Sequence, residues 1–141
     1  MKKALIIVLI VCTLTLGLTA CGHEHEWSAP TYDNPSTCAQ CGETNGSSIK
    51  EMLLGEWKEE GTSASTYIGI TFTNEGFSAT MYLSGEAFDT FSTKGTVTVS
   101  DDRLQLTNSS GGHYETFRYT INENGISLVG SDGKSWMKTG K

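Results

Sequence analysis

Tyr67-Ile68-Gly69-Ile70-Thr71-Phe72-Thr73-Asn74-Glu75-Gly76-Phe77-Ser78-Ala79-Thr80-Met81-Tyr82-Leu83 is the stretch that decides the fold. Two runs rich in β-branched and aromatic residues alternate in polarity, and alternation sends successive side chains to opposite faces of a strand. Asn74-Glu75-Gly76 interrupts them with turn chemistry, so the stretch predicts an antiparallel hairpin. The same texture extends both ways. Before it, residues 53–58 (Leu53-Leu54-Gly55-Glu56-Trp57-Lys58) read as a first strand. After it, Ser84-Gly85-Glu86 turns into a run over 87–93, followed by Gly95-Thr96-Val97-Thr98-Val99 and a turn at Ser100-Asp101-Asp102. Residues 104–107 form the next run, and Asn108-Ser109-Ser110-Gly111-Gly112 a loop. Residues 114–121 then alternate with Phe117, Tyr119 and Ile121 on one face, and runs over 126–129 and 135–138 close the series, separated by turns.

These are about eight short strands with turn signals about every 8–12 residues, and the helical pattern amounts to one turn over 48–52. The predicted class is all-β: a small antiparallel meander forming an up-and-down barrel, the simplest arrangement because closure removes exposed strand edges, or else a strongly curled sheet. Leu54, Trp57, Ile70, Phe72, Phe77, Met81, Val97, Leu104, Phe117 and Ile126 are expected to fill it. An eight-stranded interior is barely wide enough for its own side chains, so a packed core is favoured over a ligand cavity. The Gly-x-Trp of Gly55-Glu56-Trp57, with residues 71–77 and 95–99, resembles the small lipocalin-like domains of bacterial lipoproteins. The resemblance spans 50–140 and implies a barrel able to enclose one small apolar ligand.

The chain has 141 residues, four cysteines, sixteen glycines and two prolines, and a formal net charge of −6. That length suits one small domain with an appendage. The acidic balance argues against nucleic acid and against electrostatic binding to anionic lipid.

Met1-Lys2-Lys3 is a positive start, and residues 4–18 form an apolar run with no acid or base. The run is short for a permanent span of ~30 Å of hydrocarbon but suits a signal h-region. It ends at Leu18-Thr19-Ala20-Cys21, which has the form of a lipobox: a branched apolar residue, two small ones, then a thiol for thioether attachment of diacylglycerol. The chain is identified on these residues as a bacterial lipoprotein. Cleavage before Cys21 removes residues 1–20, and a palmitate-type acyl anchor on Cys21 holds the rest at the extracytoplasmic face of the cell membrane. A second acyl chain makes such anchoring stable, so no transmembrane helix is required.

Residues 21–48 are read as a lipidated linker, and 49–141 as the barrel domain. The linker shows neither strand nor helix periodicity and contains both prolines, Pro30 and Pro35. It also gathers the metal-ligand types. Cys38-Ala39-Gln40-Cys41-Gly42 brings two sulfurs to one side of a turn, and His23 and His25 can complete a Cys₂His₂ set for zinc. A Cys38–Cys41 disulfide is the alternative outside the cytoplasm. A redox pair is less suited, since no helix follows Cys41.

His25-Glu26-Trp27, Pro35, Thr37-Cys38-Ala39-Gln40-Cys41-Gly42-Glu43-Thr44 and Gly46 resemble a small module of bacterial surface proteins. The resemblance covers 25–46 and implies a zinc-ribbon-like stub with His25, Cys38 and Cys41 as ligands. The module's first cysteine falls at Tyr32, a poor zinc ligand, which leaves His23 as the substitute, with Asp33 or water behind it.

No catalytic set assembles. Gly133-Lys134-Ser135 lacks the spacing of a phosphate loop, residues 122–125 lack the acids of a calcium loop, and His113 has no nucleophile elbow beside it. Glu59-Glu60 and Asp101-Asp102 read as solvated charge whose side chains diverge. The function expected is therefore a non-enzymatic surface lipoprotein whose barrel binds a small ligand or an envelope protein. A zinc-acquisition accessory and a carrier of a small hydrophobic ligand are the rivals.

Overall fold

The computed structural model describes residues 22–63 and 65–139. The expected signal peptide and the lipidation site Cys21 lie outside the described residues. The first described elements are two short paired strands, β1 (Ser36–Thr37) and β2 (Thr44–Asn45), and one helical turn, α1 (Ile49–Leu53). The barrel strands follow: β3 (Gly55–Glu59), β4 (Thr66–Thr73), β5 (Gly76–Leu83), β6 (Glu86–Ser100), β7 (Arg103–Asn108), β8 (His113–Asn122), β9 (Gly125–Val129) and β10 (Ser135–Thr139).

All eight barrel strands are antiparallel to their neighbours, in the closed order β10-β3-β4-β5-β6-β7-β8-β9. The expected all-β, up-and-down barrel is thus the fold. Closure is made by β10, which pairs Trp136 with Glu59 and Lys138 with Trp57 on one side, and Trp136 with Leu128 on the other. The hairpin that set the reading is continuous, from Thr66 opposite Leu83 to Thr73 opposite Gly76.

The core joins α1 to the barrel wall: Ile49, Leu53, Trp57, Ile70, Phe72, Phe77, Ala79, Leu104, Leu106, Phe117 and Leu128 are all buried in one cluster. Five of these were not anticipated, and four anticipated residues take lesser places. Leu53 is buried where Leu54 was expected, because residues 49–53 turn as α1 and the strand starts only at Gly55. Met81, Val97 and Ile126 sit toward the barrel ends and are only partly buried. Tyr119 is partly buried and Ile121 is at the exposed end of its face.

α1 is too short to be stable alone, so packing and capping hold it. Ser48 and Glu51 form a capping box: the Ser48 hydroxyl accepts from the Glu51 N–H at 3.2 Å, and the Glu51 carboxylate accepts from the Ser48 N–H at 3.0 Å. The Trp57 indole N–H then donates to the Leu53 carbonyl at 2.8 Å, tying the end of α1 to the first barrel strand. α1 therefore plugs the barrel end where β3, β5, β7 and β9 begin.

The runs at 87–93 and 95–99, read separately from the sequence, form the single strand β6. Gly95 is its corner and not its break. Its first part pairs with β5 through Phe77–Gly95, its second with β7 from Gly95–Asn108 onward. A Cβ at Gly95 would lie 1.9 Å from the Thr107 carbonyl oxygen, so only glycine permits this approach.

Candidate metal centre

Residues 22–48 are ordered by hydrogen bonds to themselves and to α1. Trp27 bridges to Cys38, Ser28 N–H donates to Thr37 O at 3.1 Å, and Cys38 N–H donates to Glu43 O at 2.8 Å. The turn closes with Gly42 N–H to Cys38 O at 2.9 Å. Gly42 takes φ +76°, the left-handed conformation that folds the chain back under the sulfurs.

Tyr32, which stands where the resembled module has a cysteine, is a docking residue. It packs against the core, and Ile49 N–H and Lys50 N–H donate to Thr31 O and Tyr32 O at 3.0 and 2.9 Å. Lys50 reaches Asp33 at 3.8 Å and lies over the Tyr32 ring. Burial, then the Asp33 charge, pushes the Tyr32 phenol above its ordinary pKa. Asp33 is thus engaged with Lys50 and is not drawn to the cysteines.

The structure brings the four expected side chains together. His23, His25, Cys38 and Cys41 offer ligand atoms that all lie within 4.8 Å of one another. His23 Nε2 is 3.3 Å from Cys38 Sγ, and His25 Nδ1 is 3.6 Å from Cys41 Sγ. A tetrahedral zinc site with its usual bond lengths has N···S edges of about 3.6 Å, so these separations fit the ion. Two imidazoles and two thiols are also the donor set that zinc favours over hard cations. Cys38 and Cys41 are separate thiols, not a disulfide.

Cys38 is buried, yet its thiol is pulled down to about 5. The hydrogen bond from His23 is the largest cause, followed by the backbone N–H of Cys41; desolvation opposes them, and the Gln40 N–H and His25 assist. A thiolate is the form that binds metal.

The sequence reading missed the supports around His25. Glu43 places a carboxylate oxygen 3.5 Å from His25 Nε2, the nitrogen turned away from Cys41. A carboxylate behind a ligand imidazole fixes the tautomer and strengthens the ligand. Trp27 stacks on the same ring at 4.9 Å between centroids and 10° between planes. Both residues lie inside the quoted motif, as the tryptophan of His-x-Trp and the residue after Cys41-Gly42, but spacing alone does not show that they meet at one histidine.

His113, beside which the sequence offers no nucleophile elbow, is exposed and contacts Thr116 Oγ1 at 2.8 Å. Among the described residues no helix is long and apolar enough to cross a membrane. No protein-family model, no curated protein and no solved structure matches the chain.

Proposed function

We propose that this chain is a lipid-anchored bacterial lipoprotein in which one structural zinc ion clamps the segment between the anchor and a non-catalytic β-barrel binding domain. The lipobox at 18–21 supports the anchor. The observation that carries the zinc reading is the convergence of His23, His25, Cys38 and Cys41 within 4.8 Å, with a thiolate-favouring environment at Cys38. His23 and His25 arrive from the segment just before Trp27, and Cys38 and Cys41 from the turn after β1. Zinc would join these two ends of a segment too small to bury a core of its own. Its protein ligands fill the tetrahedron, which is the composition of a structural site and leaves no open position for substrate.

Native mass spectrometry of the full chain in detergent tests both parts. The expected product starts at an acylated Cys21 and carries one zinc, lost with Cys38→Ser. A species lighter by two hydrogens and indifferent to chelator would replace the zinc reading with a disulfide. His23, His25 and Cys41 are only half-buried, which supports metal transfer as the second reading. Exchange of bound zinc with added metal within seconds would favour that acquisition role over a structural one.

A further inference from the structure

At the barrel end opposite α1, where β4, β6, β8 and β10 begin, lies a cavity of about 350 Å³ lined chiefly by Glu59, Ile68, Ile70, Tyr114, Glu115 and Trp136. Alternation explains why these residues meet. Trp57, Ile70, Phe117 and Leu128 face the core, so Glu59, Ile68 and Glu115 two residues away, and Trp136 opposite Leu128, face the same interior. The register shift between Leu106 and Thr107 admits the extra residue Tyr114 beside Glu115.

The cavity is apolar on one side and acidic on the other. Trp136 is fixed edge-on against the core ring of Phe117 at 5.1 Å, and Tyr114 lies against Phe77 at 5.4 Å. Ile68 is 44% exposed in the mouth, an apolar surface without cover. Glu59 is paired with Lys134 from the rim, a cation that Asp132 shares at 3.3 Å. Glu115 is not: one carboxylate oxygen accepts from the Thr116 N–H at 2.8 Å, and no ion pair among the described residues includes it. A carboxylate without an ionic partner beside an apolar wall is complementary to an organic cation, whose ammonium group pairs with it while its apolar body covers the rings. Aromatic faces add to the attraction for a cation, and an anion is repelled.

We propose that this cavity binds a small organic cation, a protonated amine on an apolar body, with its ammonium group at Glu115 and its body against Ile68, Ile70 and Trp136. The proposal rests on the reading of the barrel as a binding domain and names its ligand class; it does not depend on the metal centre.

Isothermal titration of the full chain in detergent tests it with three phenylalkyl probes that differ in head-group charge: phenethylammonium, phenylpropanol and phenylpropanoate. Phenethylammonium is expected to bind one-to-one and at least about ten-fold more tightly than phenylpropanol, with phenylpropanoate weakest. Glu115→Gln removes that preference and leaves phenylpropanol unchanged. Should that variant fail to fold, Ile68→Lys, at an exposed position, places a fixed cation in the mouth. It should weaken phenethylammonium by about ten-fold and favour phenylpropanoate. Equal binding of phenethylammonium and phenylpropanol overturns the cation assignment while retaining a binding domain for apolar ligands. Absence of binding by all three overturns both.

Discussion

Glu43 and Trp27 hold the His25 ring from its outer nitrogen and from its face, while its inner nitrogen looks toward Cys41. Glu43→Gln keeps the shape but removes the charge behind the imidazole, and zinc affinity should fall by about ten-fold when measured by competition with a chromogenic chelator. His23→Ala should cost more than Glu43→Gln in the same titration, because it removes a ligand and not a support. A second residue-scale device is the Trp57 indole on the Leu53 carbonyl. Trp57→Phe leaves that buried carbonyl unpaired and thins the core, so urea unfolding should report a loss of about 1–3 kcal/mol. At this scale the sequence showed ligand types well and their partners poorly. Residue type places His23 in the ligand set, but its 3.3 Å approach to Cys38 comes from the pairing of the linker across Trp27 and Cys38, a contact between distant positions.

Among the elements, α1 and β6 show what local pattern conceals. Leu53 and Leu54 are equally apolar, and a strand reading buries the wrong one, since a helical turn and a strand present different faces from the same pair. The Ser-x-x-Glu of Ser48 and Glu51 was the available signal for the helix start. Ser48→Ala removes the cap and should lower stability by about 1 kcal/mol in the same urea experiment. In β6, Gly95 resembles a strand terminator, yet it lets two strands approach closely at a bend. Gly95→Val drives side-chain atoms into the Thr107 carbonyl, so the expected result is failure to fold or a loss of several kcal/mol, seen as a collapsed far-UV signature or a lowered Tm. The Phe77 ring beside it would move with the strand and carry the cost into the core.

The whole molecule has a direction. The linker docks through Tyr32 onto α1 at one barrel end, and the acidic-aromatic cavity opens at the other. On the proposed anchoring at Cys21, the metal centre is on the membrane side and the cavity is away from it. Chelation of zinc should therefore loosen one end only. Amide hydrogen exchange is expected to rise across residues 23–45 after chelator treatment and to stay protected in β4, β5, β7 and β8, whose ladders do not depend on the metal. Uniform loss of protection through the barrel would show the zinc site to be part of one cooperative unit. The anchor makes a separate prediction: Cys21→Ser should leave the protein in the aqueous phase of a detergent partition, where the wild-type chain follows the detergent.

The amino-acid sequence by itself determined the class of this protein, because alternation, turn residues and the Cys-x-x-Cys-Gly spacing are properties of neighbouring residues that hold in any tertiary setting. It also determined which side chains are able to hold zinc. The tertiary structure alone decided that Gly95 is a corner, that Leu53 and not Leu54 is buried, that Glu43 stands behind His25, and that Glu115 faces the barrel interior beside Trp136. The corner at Gly95 and the inward face of Glu115 depend on strand register across a closing sheet, where a shift of one residue sends every side chain of a strand to the other face. The burial of Leu53 depends on the turn of α1, and the Glu43–His25 contact on the folding of the linker.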